Sequence, residues 1–312
     1  MILAELPARS DWYFGGFLYG LEPLTLPDPH VFDEPGDPGR APQDWTTVRE
    51  RILRPGGQIR QATGDEALTT LFWFRWKTGH QLSFALWRLM SQTLDDLRAG
   101  RLARQAALDS LTCYVRGYCA MLLYTSSCSR KIYQDLIRPS MYLQHPGFSG
   151  GWAPDYRPVR DVFRARKWVA DSPELARAVD LYREVHEGVA AKLVPGGRSL
   201  LQASGPARRA DEVSLPDTRS LGVLYDNYFM TLRAPVSRPN VVSQLLRRLI
   251  AVSQDVSANG LYPSTVAGSD DKSEELRSDS VLDCEAGFTG INLAVAGEAI
   301  GRPAGSLHAV GE

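Results

Sequence analysis

Between Asp65 and about Ala99, large apolar side chains recur at Leu68, Phe72, Trp76, Phe84, Trp87, Leu94 and Leu97. This is the three-and-four spacing of one helical face, and the glycine in "RAGRL" ends it. The same period predicts a second long helix from about Gln105 to Thr125, through Leu108, Leu111, Val115, Tyr118 and Leu122. A third is expected from about Arg130 to Ile137, stopping before Pro139 because a residue preceding proline is pushed out of the α region. The stretch "HPGFSGGWAPDYRPV" carries Gly or Pro at almost every third position and reads as loop, one that Phe148, Trp152 and Tyr156 should keep ordered. A fourth helix follows, with Asp171 or Ser172 as N-cap and Pro173 in its first turn, and ends at Pro195. Its stripe is Leu175, Val179, Tyr182, His186, Val189 and Leu193. After a polar linker, "QASGPARRADEVSLPD", the segments "SLGVLYDNYFMTLR", "NVVSQLLRRLIAVSQDV" and "SVLDCEAGFTGINLAVAGEAI" are again helical in pattern. Alternating, strand-like periodicity is scarce, so the fold is expected to be mainly α. Residues 1–64, rich in Pro and Gly, form a loop-rich N-terminal segment with one short helix around "DWTTVRERIL". Residues 65–312 form a single helical domain with long helices around a pocket.

Length and charge narrow the functional classes. A chain of 312 residues buries a core large enough to contain a cofactor cavity. Its 35 Lys and Arg balance 36 Asp and Glu, without blocks of like charge, which argues against nucleic acid or an anionic membrane as partner. The longest apolar runs fall short of the roughly 18 residues that span a bilayer, and "MILAELPARSDWYF" lacks the basic and apolar regions of a secretion signal. A soluble, cytoplasmic protein is expected. Cys113, Cys119, Cys128 and Cys284 form no CxxC pair, so they read as reduced thiols and zinc is not expected. No P-loop, GxGxxG, GxSxG or HExxH pattern is present.

The chemistry-bearing features are two histidines. In "WFRWKTGHQLSFALWRLM", His80 shares a helical face with Phe84, Trp87, Trp73, Trp76 and Lys77. His186 lies in the middle of the later stripe. A lone histidine on an apolar face is usually a satisfied core residue. Two of them, on two long helices, suggest a helical pocket with an imidazole on each wall, one way in which a haem is held. Two core histidines in an ordinary bundle remain the plain alternative.

Three blocks carry a resemblance. "GHQLSFALWRLMSQTLDDL" is similar to the tryptophan 2,3-dioxygenase helix whose His-Gln pair lies over the substrate face of the haem. "IRPSMYLQHPGFSG" resembles the stretch of that family containing the arginine that binds the substrate carboxylate, here Arg138. "AVDLYREVHEGVAAKLVPGG" resembles the proximal helix of indoleamine 2,3-dioxygenases and points to His186. The likeness covers roughly His80 to Gly197. Two departures, a shortened segment between Arg138 and His186 and Phe84 where the pattern has glutamate, look more like the small histidine-ligated haem-dependent L-tyrosine hydroxylases of bacterial secondary metabolism. Membership of that haem-dependent aromatic oxygenase superfamily implies haem b with His186 as axial iron ligand, and His80 as catalytic acid and base. It also implies Arg138 on the substrate carboxylate, with Phe84, Trp87 and Phe148 around its ring. The expected partners are L-tyrosine and hydrogen peroxide, the product L-DOPA, and the setting antibiotic biosynthesis; a homo-oligomer is compatible. The other readings are an indole or tryptophan dioxygenase or monooxygenase, a non-catalytic haem protein, and a cofactor-free helical interaction protein. His30, His145 and His308 are assigned no function.

Overall fold

The structure, a computed structural model, describes residues 21–29, 44–54, 61–164, 172–194, 196, 198–204, 218–263 and 273–301. It is mainly α, as the periodicity predicts. Two antiparallel helices form its spine, α2 (Asp65–Arg98) and α3 (Arg104–Thr125), joined through Gly100 at φ 71°. They approach closely where a glycine permits it: a Cβ on Gly79 would stand 2.3 Å from the Thr125 side chain. α1 (Trp45–Leu53), with Asp44 as N-cap, packs with α10 (Arg238–Asn259) and α12 (Phe288–Ile300) over the spine. α7 (Pro173–Leu193) lies along α3 with its Ser172 cap accepting from the Leu175 amide, 3.2 Å. α8 (Leu200–Ala203) follows it, and α11 (Asp279–Ala286) packs on α3 and α7.

Three expectations need correction. The third helix does not stop before Pro139: α4 (Arg130–Ile132) passes through a π-helical turn, Tyr133–Ile137, into α5 (Arg138–Gln144). Pro139 lies in the first turn of α5, where its missing N–H costs least, and the widened turn absorbs the ring. The segment "SLGVLYDNYFMTLR" is helical only in α9 (Thr218–Tyr228) and then becomes a strand, β2 (Thr231–Arg233). β2 pairs in parallel with β1 (Leu24–Leu26), Leu24 opposite Thr231, so Leu24 and Leu26 of the Pro-rich segment are fully buried. The loop after α5 is ordered, as expected, but forms 3-10 turns at Gly150–Trp152 and Pro154–Val159 before α6 (Arg160–Arg164). Residues 1–20, 30–43 and most of the polar linker lie outside the described residues.

A buried ion pair ties the spine to α10. The Arg75 guanidinium donates to both Asp255 carboxylate oxygens, 2.8 and 3.2 Å, and to the carbonyls of Gly260 and Leu261, 2.7 and 2.6 Å. Tyr124 and Asn259 donate to the same carboxylate, 2.6 and 2.9 Å. With so many partners the pair is satisfied, and this end of α2 is fixed.

Candidate active site

His80 is half-buried, and every side of its ring but one is taken. Nδ1 lies 2.7 Å from the carbonyl oxygen of Trp76, one turn back. A carbonyl only accepts, so Nδ1 carries the proton and the neutral ring presents an Nε2 lone pair. Phe229 stacks on the ring at 4.4 Å and 16°, Trp76 covers it at 4.3 Å, and Phe84 meets its edge at 6.3 Å. Nε2 has no hydrogen-bond partner among the described residues. Burial pulls the imidazole pKa down to about 4; the Trp76 bond opposes this and the Lys77 ammonium adds to it. The near-neutral base expected from sequence is therefore a weaker one, uncharged across the physiological range.

That shift has a stability consequence. Between the ordinary 6.5 and about 4, the unfolded chain binds a proton at His80 that the folded chain does not. Stability is therefore lost as pH falls through this window, by about 3 kcal/mol in total. Denaturant titrations from pH 7 to 4 should show this acid limb flattened in His80→Gln relative to the unsubstituted protein. Parallel limbs would place the imidazole in a more hydrated setting.

The other ring residues singled out in the sequence converge on the same place. Phe84 stacks on Trp87 at 5.6 Å, and Phe148 stacks on Tyr225 at 5.4 Å and reaches Phe229 at 6.3 Å. Sequence reasoning missed Phe229, which touches His80, Phe84, Trp76 and Phe148, together with Tyr225 and Tyr228. The available signal was the i, i+3, i+4 run of these three rings from the last turn of α9 into the residue after it. Arg233 braces the assembly, donating to both oxygens of Asp155 (3.0 and 2.7 Å) and of Asp226 (2.9 and 2.7 Å), the sequence neighbours of Tyr156 and Tyr225.

His186 is not in contact with His80. They stand on α2 and α7, two helices that both pack on α3. Their heights correspond. On α2, Gly79 abuts Met121, Tyr124 and Thr125, while Trp87 meets Tyr118 at 5.0 Å. On α7, Tyr182 stacks on Tyr118 at 5.5 Å and Lys192 donates to the Ser126 carbonyl, 2.7 Å. Both histidines therefore fall near the level of half-buried Leu122. Trp87, Tyr118, Tyr156, Phe163 and Tyr182 pack ring on ring into an aromatic floor that links α2, α3 and α7. His80 rises about 10 Å along α2 from Trp87, and His186 about 6 Å along α7 from Tyr182. The buried indole N–H of Trp87 in that floor has no acceptor among the described residues. His186 is exposed, yet its surroundings lower its pKa by desolvation, against the pull of Glu187.

Arg138 is half-buried. It donates to the Arg198 carbonyl, 3.2 Å, and hydrogen-bonds Tyr133, whose ring meets Trp76 at 5.9 Å. Asp135, three residues before it, pairs instead with Lys131. His145, by contrast, accepts from the Gly147 amide and serves its own loop.

Comparison with known families gives the class first: the match is to an enzyme family, oxidoreductases that use peroxide. The particular family is the one described as SfmD 3-methyl-L-tyrosine peroxygenase, to which the chain is similar over residues 28–180, a little under half its length. That span holds His80, Phe84, Trp87, Arg138 and Phe148 and ends short of His186. No curated protein matches the chain. The expected peroxide-using oxidoreductase agrees with this family, whose named substrate is a methylated tyrosine. No helix among the described residues is long and apolar enough to cross a membrane.

Proposed function

We propose that the protein is a haem-dependent peroxygenase that hydroxylates L-tyrosine beside its phenol to give L-DOPA, with hydrogen peroxide as oxidant and water as second product. The observation that carries this reading is the free Nε2 edge of His80, enclosed by rings that run on through Trp87 and Tyr118 to Tyr182, one turn before His186. On this reading α2 and α7 enclose an apolar cleft for the haem, which needs a single imidazole from the chain, and His186 is the exposed imidazole that α7 offers. Bound there, the haem would supply the iron at which peroxide is cleaved and one oxygen atom passed to the ring. The tryptophan and indoleamine dioxygenases are relatives on this reading.

The chain's own residues do the remaining work. Nε2 of His80 accepts the phenol hydrogen bond and so turns the adjacent ring carbon toward the cleft. Before the phenol occupies it, the same lone pair takes a proton from one peroxide oxygen and returns it to the other. Its low basicity suits a brief transfer rather than lasting protonation. Phe84, Phe229 and Phe148 exclude water from the ring, and Trp87 extends that wall with its free N–H. Arg138 pairs with the amino-acid carboxylate, an interaction that Lys could not reproduce as a planar fork.

The test is product formation. The haem-loaded protein given L-tyrosine and peroxide should yield a catechol, and L-phenylalanine should be rejected, because binding it leaves Nε2 buried without a donor. 3-Methyl-L-tyrosine, offered in parallel, decides between the two phenols. Arg138→Ala should erase the preference for tyrosine over tyramine, about tenfold or more in kcat/KM, measured by competition. Production of N-formylkynurenine from L-tryptophan and oxygen, with tyrosine inert, would overturn the proposal.

A further inference from the structure

One buried cation has no role in the chemistry above. Lys77, a turn before His80 on the same face, is 4% exposed and makes no ion pair among the described residues. Its ammonium donates to the Tyr228 carbonyl and lies over the rings of Tyr228 and Trp73, 3.3 and 4.4 Å from their centroids. Four residues on, Gln81 donates through Nε2 to the next carbonyl, that of Phe229, at 2.9 Å. The amide cannot turn, because its Oε1 accepts from the buried Arg248 guanidinium at 3.0 Å. Two consecutive carbonyls at the end of α9 are thus gripped by two side chains one turn apart on α2. Between this grip and β2 the chain makes a tight bend, with Met230 in the left-handed region at φ 56°. A non-glycine residue holds that conformation only where its surroundings enforce it. The residue held at the bend is Phe229, whose ring lies flat on His80.

We propose that Lys77 and Gln81 are positioning residues for His80: by gripping the carbonyls of Tyr228 and Phe229 they press the Phe229 ring onto the imidazole and fix the direction of its free Nε2. The cation suits the task, since it caps the negative end of α9 and is attracted by the rings around it. Burial lowers the Lys77 pKa to about 7, a cost that a purely structural cap could have avoided with a neutral donor. This inference rests on the reading of His80 as the group that meets substrate.

The experiment is a double-substitution cycle on Lys77→Met and Phe229→Leu, read by ¹⁵N NMR of the histidines in the diamagnetic, ferrous carbon monoxide-bound protein. Lys77→Met should mix the two neutral tautomers of His80, raise its titration midpoint by about one unit, and lower kcat about 10–100-fold with KM little changed. In the Phe229→Leu background it should add nothing. Gln81→Glu, which keeps the acceptor for Arg248 but loses the donor, should repeat the tautomer mixing should Lys77→Met fail to fold. Full additivity of the two substitutions would mean that Lys77 acts through charge alone and would overturn the proposal. So would a loss of thermal stability with the His80 signals and kcat unchanged. If instead His80→Phe keeps its turnover while Lys77→Met still disturbs the His80 signals, the catalytic reading falls and the positioning role stands.

Discussion

Replacing His80 with phenylalanine lowers peroxide-dependent hydroxylation by about 10²–10⁴-fold and leaves haem retention intact. The expectation follows from the economy of the site. Nδ1 is committed to the Trp76 carbonyl and the ring faces to Phe229 and Trp76, so Nε2 is the imidazole's one remaining polar group. Phenylalanine fills much of the same volume and preserves the stacking, which limits the change to the Nε2 lone pair and the Nδ1–H bond to the Trp76 carbonyl. The pH profile supplies a second check. With a free-protein midpoint near 4, the imidazole is uncharged from pH 5.5 upward, and kcat/KM should be flat with respect to this group there. An acid limb centred at 6.5 would show a far better hydrated imidazole. Turnover within threefold of the unsubstituted protein would make His80 a structural residue packed among aromatics.

The wall carrying His80 was legible in the sequence because α2 is long and amphipathic; its period alone put His80, Phe84 and Trp87 on one face. The floor was not, since Tyr118, Tyr156, Phe163 and Tyr182 come from four elements whose meeting depends on the α2–α3–α7 register. That register turns on local details, such as the bare Cα of Gly79 against Thr125, that no hydrophobic pattern encodes. Phe229 was harder still. It follows a helix, precedes a two-stranded sheet whose other strand lies about two hundred residues earlier, and its backbone is bonded from α2 through Lys77 to the Tyr228 carbonyl and Gln81 to its own. The π turn before Pro139 was misjudged for a related reason. The steric rule forbids a regular α turn there, and the helix continues by widening.

Substitution of His186 with alanine should release the haem. An axial imidazole contributes directly to affinity, and even its second-shell partners are typically worth 10–100-fold, so the loss should be at least of that order. The cleft remains apolar and open in the variant, so added imidazole should restore part of the loading and the Soret band with it. The structure also identifies the competing outcome. An imidazole whose Nδ1–H is fixed by a backbone carbonyl and whose Nε2 is free is oriented as axial ligands commonly are, and His80 has that arrangement, whereas His186 has no hydrogen-bond partner among the described residues. What favours His186 on the iron is enclosure. The rings of Phe229, Trp76 and Phe84 around His80 suit a small phenol approaching Nε2, whereas His186 is exposed, with the Tyr182 ring at 5.7 Å. The two alanine variants therefore separate the assignments. If His186→Ala keeps full occupancy and an unchanged spectrum while His80→Ala loses haem, the axial role belongs to α2 and the substrate face of the cleft is the one bordered by α7.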